Sequence, residues 1–356
     1  MSTSVFVCTS LLCLIQATRI SNLVVSGEKN MFRISAYSRL LKSIAFTLLA
    51  AGLTLAQAPA GAKRPAAVPE DFVLTPFGYF HPSCVNHLAQ GDVLREDLKL
   101  IERKGGKTQP LTCAYPHFEA DGTKSFGDLK PVGDGTSQPP FIGHSWIEYA
   151  SIHETYDYEE VYSQWTVPPA PASNDSQTLY FFNGLEDIND VVSIIQPVLG
   201  WNGNGLGNWS IAAWNCCPNG TTNEATPQPV NSGDQIEGYT FSTCAKGTKT
   251  CPTWDVVALD DQNEKFSQLI DTPNEGQTFN WAFGGVLEVY NITQCSDYPA
   301  SEESSYGGTI GFHDQVILNR NYDQISPAWT VTNLSGGLTP QCNYGGSTRK
   351  QVNLTY

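Results

Sequence analysis

From Phe141 onward the chain predicts an all-β fold, a sandwich or barrel of antiparallel sheets, and three observations carry that reading. Short runs rich in Trp, Tyr, Val and Thr alternate with Gly, Pro, Asn and Asp turns. No long stretch of helical period competes with them. All eight tryptophans fall in this region, where core packing is the first use of such large side chains. The candidate strands are 161–167, 178–182, 191–199, 209–214, 235–241, 254–259, 279–292 and 308–318.

The chain ahead of this region divides into pieces. Residues 1–30 read as an upstream extension. Met31, the only methionine besides Met1, opens a better targeting signal at 31–58, in which Arg33, Arg39 and Lys42 precede an apolar run and an Ala56-Gln57-Ala58 cleavage pattern. That run is too short for a comfortable membrane span, so the expected product is secreted, extracellular and free of the membrane after signal removal. Residues 59–140 follow as an Ala- and Pro-rich linker and a small basic unit, with a short helix expected at 94–104 and a Gly-Lys turn after it.

Charge is distributed unevenly. The 356 residues carry 35 acidic against 20 basic side chains, and most of the basic ones lie at or before Lys130. With no basic stripe to neutralise phosphates, nucleic-acid binding is excluded as an expectation. The cluster of Lys99, Arg103, Lys104, Lys107, Lys124 and Lys130 complements the acidic remainder, as an inhibitory propeptide released by acid would. The rival is a permanent N-terminal domain.

Ten cysteines fit an oxidising compartment, and eight remain once Cys8 and Cys13 are set aside with the leader. Cys84 with Cys113 can close the N-terminal unit and Cys244 with Cys251 can staple a hairpin, while the pairing of Cys216, Cys217, Cys295 and Cys342 stays open. Six Asn-x-Ser/Thr sequons, at Asn174, Asn208, Asn219, Asn291, Asn333 and Asn353, point the same way. The cysteines form no Cys-x-x-Cys knuckles and the histidines are scattered, so neither a metal nor another cofactor is expected.

Two polar residues interrupt apolar strands. Gln196 follows Val191, Val192, Ile194 and Ile195 and precedes Pro197, which removes a ladder donor and suggests a strand end or bulge. A buried primary amide must find partners, so Gln196 belongs to a polar cluster. Glu288 interrupts the run 280–292 with no cation near in sequence, which should raise its pKa and suit it to proton transfer.

In their order and spacing, Gly184, Gln196, Trp201, Trp214 and the Ser232–Asp234 triplet resemble the glutamic peptidases, or eqolisins. The family's Trp-Val-Gly-Ile-Asp strand is matched by Phe182-Asn183-Gly184-Leu185-Glu186, its Ile-Leu-Gln by Ile194-Ile195-Gln196, and its later Ile-Val-Glu by Val286-Leu287-Glu288. The likeness runs from about Tyr162 to the C-terminus. It implies a two-sheet, concanavalin-like jelly-roll sandwich at 141–356, a basic propeptide, and an acid-active endopeptidase with Gln196 and Glu288 as the catalytic pair. Trp201, Trp214 and Glu186 are the candidate substrate-binding residues.

The chemistry that follows is hydrolysis of protein or peptide substrates through a tetrahedral intermediate. A carboxyl takes a proton from water and returns it to the leaving nitrogen, while the glutamine amide donates to the oxyanion. No Gly-x-Ser-x-Gly elbow is present, and the Asp-Gly-Thr triplets at Asp121 and Asp134 reverse the order that aspartic proteases need. Two readings compete. Glu186, Asp187, Glu237 and Glu288 could supply the carboxylates of a glycoside hydrolase. Gly200 stands where the family has Asp, Phe182 where it has Trp, and Cys216-Cys217 in a tract that carries Glu and Trp, which favours a non-catalytic carbohydrate- or peptide-binding jelly roll. A monomer is expected, as no heptads appear.

Overall fold

A computed structural model describes residues 64–95, 99–120, 122–125, 145–189, 193–203, 207–217, 220–300, 308–335, 340–349 and 351–356. The leader at 1–58, Asn219 and the stretch 126–144 lie outside the described residues. Among the described residues there is no α-helix: two sheets pack face to face, as the strand-and-turn pattern predicts.

The larger sheet runs in the order Thr330–Asn333, Trp146–His153, Trp281–Tyr290, Thr178–Glu186, Ile194–Trp201, Trp209–Cys216, Thr222–Ala225 and Val85–Leu88, with Gln228–Pro229 paired at the side. The second runs Lys265–Pro273, Thr253–Asp260, Gln235–Ser242, Tyr158–Thr166, Thr309–Asn319, Val352–Thr355 and Gly345–Ser347, with Gln324–Ile325 at the side. Strands alternate their side chains between faces. Leu179, Phe181, Leu185, Ile195, Leu199 and Leu287 therefore point into the core between the sheets, against Trp165, Val161, Trp254 and Phe312. The intervening residues point to the outer face of the larger sheet.

That outer face is itself apolar and is covered. Phe77, Phe80 and Cys84 of the N-terminal unit pack with Trp146, Tyr180, Phe182, Val198, Trp214, Phe283 and Tyr290 in one buried cluster. The unit is a hairpin of Val73–Thr75 and Gly78–Phe80 extended by His117–Phe118 and Lys124–Ser125, with its own small core of Val68, Phe72, Tyr79 and Phe118. Its strand Val85–Leu88 joins the edge of the larger sheet in parallel with Thr222–Ala225. The unit is thus continuous with the sandwich rather than a separate body.

Two local expectations are corrected. The helix expected at 94–104 is instead a meander of Val93–Arg95, Leu100–Arg103 and Lys107–Pro110. Leu94 and Ile101 are buried, and Arg103 ties the meander together through Asp92 at 2.8 Å and Gln109 at 2.5 Å. The Gly105-Gly106 turn, with φ of +98° and +81°, falls where the sequence places it. Gln196 lies well inside the strand Ile194–Trp201, not at its end or in a bulge. Pro197 is accommodated because the ladder to Thr178–Glu186 skips from Phe182–Val198 to Leu185–Ile195, where the missing donor is not needed.

The cysteines pair as Cys84–Cys113 and Cys244–Cys251, as expected, and as Cys216–Cys217 and Cys295–Cys342.

Candidate active site

The outer face of the larger sheet collects most of the polar residues singled out in the sequence. Gly184, Gln196, Trp214 and Glu224 form one row across four strands, each level with the next. A Cβ at Gly184 would stand 2.7 Å from the Ile195 carbonyl and 3.2 Å from Gln196 Cβ, so only glycine lets the glutamine strand lie this close. Gln196 is buried, and neither its amide oxygen nor its amide nitrogen meets a hydrogen-bond partner. Left without a partner, such an amide carries a desolvation cost of about 1–3 kcal/mol.

Glu186 is the carboxyl nearest to Gln196 in the register. It pairs with Trp281 two residues beyond Gly184 and is the diagonal neighbour of Gln196, a relation with a spacing of about 7–8 Å. Glu186 is buried and neither oxygen has a partner. Burial, reinforced by the charge of Glu288, holds its carboxyl well above the usual carboxylate range.

Glu288 shares the face but not the row. It lies opposite Tyr180, whereas Gln196 lies beside Gly184. Their backbone positions are four residues apart along the central strand, about 13 Å, and two strand spacings apart, while the Glu288 carboxyl still acts electrostatically on Glu186 of the same face. The residue of the Glu288 strand level with Gln196 is Phe283, brought there by a one-residue register shift between Phe182 and Gly184. The register thus sets Gln196 and Glu288 in different rows of the same face. Glu288 accepts a hydrogen bond from Tyr290 at 2.6 Å, with Ser145 and Trp146 beside it. Burial nevertheless pushes its pKa up to about 8, in the direction the sequence predicts.

The two tryptophans separate. Trp214 stands on the outer face beside Gln196, with Phe77 of the cover edge-on to it at 5.8 Å. Trp201 is on the opposite face, in the core between the sheets against Trp209. Two of the positions of departure are filled: Gly200 leaves room for the Tyr180 ring, whose carbons would be 3.2 Å from a Cβ there, and Phe182 joins the aromatic cluster.

Three residues on this face escaped sequence reasoning. Tyr180 and Tyr290 are buried beside Glu288, and Glu224 meets His87 of the edge strand at 2.8 Å. Tyr290 was legible by period, two residues beyond Glu288 on the same face. Among the described residues no group of three or more His, Cys, Asp or Glu could hold a metal ion. No described helix is long and apolar enough to cross a membrane.

No protein-family model matches the chain, and no curated protein matches it. Among solved structures, the chain is similar to scytalido-glutamic peptidase with a transition-state-analogue inhibitor, at 13% identity and a TM-score of 0.40, over 59% of this chain and 97% of that one. A second structure of that peptidase, with a peptide-based transition-state analogue, gives 14% identity and 0.40 over 59% and 96%. SCP-B, a member of the eqolisin family of peptidases in complex with the tripeptide Ala-Ile-His, gives 13% identity and 0.40 over 59% and 96%. Likeness this loose assigns no residue a role.

Proposed function

We propose that the protein is a secreted, acid-active peptide hydrolase whose groove is the outer face of the larger sheet, covered in the full chain by the part of the N-terminal unit that carries Phe77, Phe80 and Cys84. The observation that carries this reading is the side-by-side placement of Gln196 and Glu186, an amide and a carboxyl that are buried, unpartnered and one diagonal step apart. In this reading the reacting water lies between the two side chains once the face is opened. In a groove opened to water, Glu186 returns toward the ordinary carboxylate range and can ionise. Its carboxylate then takes a proton from water as the oxygen attacks the peptide carbonyl. The Gln196 amide donates to the oxyanion, and the same proton passes to nitrogen as the C–N bond breaks. Glu288, farther along the groove, is the second carboxyl and would act on the substrate away from the reacting carbonyl.

Several features support secretion and a removable cover. The described cysteines are paired in disulfides, and the hairpin of Val73–Thr75 and Gly78–Phe80 crosses the groove from Tyr290 to Trp214. A propeptide occupying its own enzyme's groove would lie this way.

A second reading, a peptide-binding face without hydrolysis, is favoured by Phe283 standing level with Gln196 where a second carboxyl would be. Digestion of a denatured protein at pH 3–4 by acid-treated wild type and Gln196→Ala separates the two. Cleavage by wild type that falls at least 100-fold in the variant, with the fold intact, supports hydrolysis. An inert wild type that still retains peptides supports binding.

A further inference from the structure

The cover meets the groove through a histidine. In the N-terminal unit, Tyr79 and Phe118 pack in the unit's own small core, with Tyr79 also edge-on to Tyr290 of the sandwich at 6.2 Å, while Phe80 lies in the buried cluster on the sheet. Phe80 belongs to the buried cluster of the groove, and the His117 ring lies parallel on it at 5.0 Å and 6°. His117 is 2% exposed and its Nε2 has no hydrogen-bond partner. Burial disfavours an imidazolium here, and the one carboxylate within reach, Glu119 at 3.8 Å from Nε2, is itself partly exposed.

We propose that His117 is the acid-sensitive latch of the cover: protonation of its ring breaks the stack on Phe80 and frees the hairpin from the groove. The inference rests on the hairpin covering the face, and is independent of the chemistry beneath it.

The neighbouring charges set the direction. Glu119, in the same stretch of chain, is 3.8 Å from His117 Nε2, and Lys124 stands in the paired strand beside Phe118. His81, at the end of the hairpin, meets Asp71 at 3.5 Å. On the sandwich, Glu288 lies in the field of Glu119, and Glu224 pairs with His87. Burial raises the pKa of both sheet carboxyls. Their protonation therefore relieves a cost of covering them, and acid acting on them alone would tighten the cover. His117 has the opposite sign. Burial lowers its pKa to about 4, below the ordinary value near 6.5. The stability it lends is present above pH 6.5 and is lost as pH falls through about 4. Release by carboxylate protonation, as the charge pattern suggests, thus runs against the sign at these two carboxyls, and the histidine supplies the acid trigger.

The test is hydrogen–deuterium exchange of the full chain between pH 7 and 3, corrected for intrinsic rates, in wild type and His117→Phe, which keeps a ring on Phe80 but cannot take the proton. Wild type should lose protection at Gly78–Phe80 as pH falls toward 4, while the variant holds it to at least one pH unit lower. Protection in Thr253–Asp260 should match in the two proteins, marking an intact sandwich. Equal midpoints, or a wild-type cover still shut at pH 3, overturn the proposal. Should the variant misfold, the His117 ring can be titrated by NMR in wild type. Titration near 4 together with loss of hairpin protection sustains the latch, and titration near 6.5 with the cover closed overturns it.

Discussion

Gln196 and Glu186 lie buried without a hydrogen-bond partner, and Gly184 is the residue that lets the Gln196 strand lie close beside its neighbour. Gly184→Ala would drive a methyl into the Ile195 carbonyl and the Gln196 Cβ. The expected result is a loss of about 1–3 kcal/mol of stability from overpacking, seen in denaturant unfolding, with a larger fractional loss of acid proteolysis because Gln196 is displaced. Tyr290→Phe deletes the donor to Glu288, a hydrogen bond that favours the ionised carboxyl. The Glu288 titration, followed by NMR or infrared difference spectroscopy, should move further up. At this scale the sequence was informative about identity and silent about direction. The interruption of apolar runs singled out Gln196 and Glu288, and the glycine motif singled out Glu186. Whether two such residues meet depends on register, and the one-residue shift that sets Phe283 beside Gly184 leaves no local mark that period alone reveals. Trp201 shows the same limit: the strand was legible, but not which of its faces would turn to the core.

Among the elements, the hairpin of Val73–Thr75 and Gly78–Phe80 joins the N-terminal unit to the groove. Phe77 packs on Trp214, and Gly78 donates its backbone N–H to the Tyr290 hydroxyl at 3.1 Å. Removing a buried phenylalanine ring costs about 3–5 kcal/mol. Phe77→Ala should therefore open the cover at pH 7, with faster exchange at Gly78–Phe80 and unchanged exchange in the strand Thr253–Asp260. Equal exchange at the hairpin would show that Phe77 does not hold it. The strands of the sandwich were readable because half-buried β-branched and aromatic runs punctuated by turns have few other fates. The meander at 93–110 was not. Its leucines and mixed charges suit a helix as well, and pairing across the hairpin, fixed by Arg103 reaching Asp92 and Gln109, decided otherwise.

Over the whole molecule, buried carboxyls couple stability to pH. Burial raises Glu148 to about 8, Asp157 to about 7 and Glu288 to about 8. Each is protonated when folded and titrates near 4 when unfolded. The stability they contribute is complete below about pH 4 and is lost as pH rises toward 7–8. His117 acts the other way between 6.5 and 4, but through a surface unit rather than the sandwich. The Tm of the sandwich should accordingly be higher at pH 5 than at pH 8, by calorimetry; a flat or rising profile would show that these groups are solvated.

The most direct measurement is the rate of acid proteolysis, after removal of the cover, for Glu186→Gln and Glu288→Gln side by side. The account predicts that Glu186→Gln abolishes cleavage as fully as Gln196→Ala, while Glu288→Gln retains activity and alters the affinity for substrate. Loss of cleavage in Glu288→Gln with activity kept in Glu186→Gln would contradict it, and would mean that the groove rearranges on opening to bring Glu288 to Gln196.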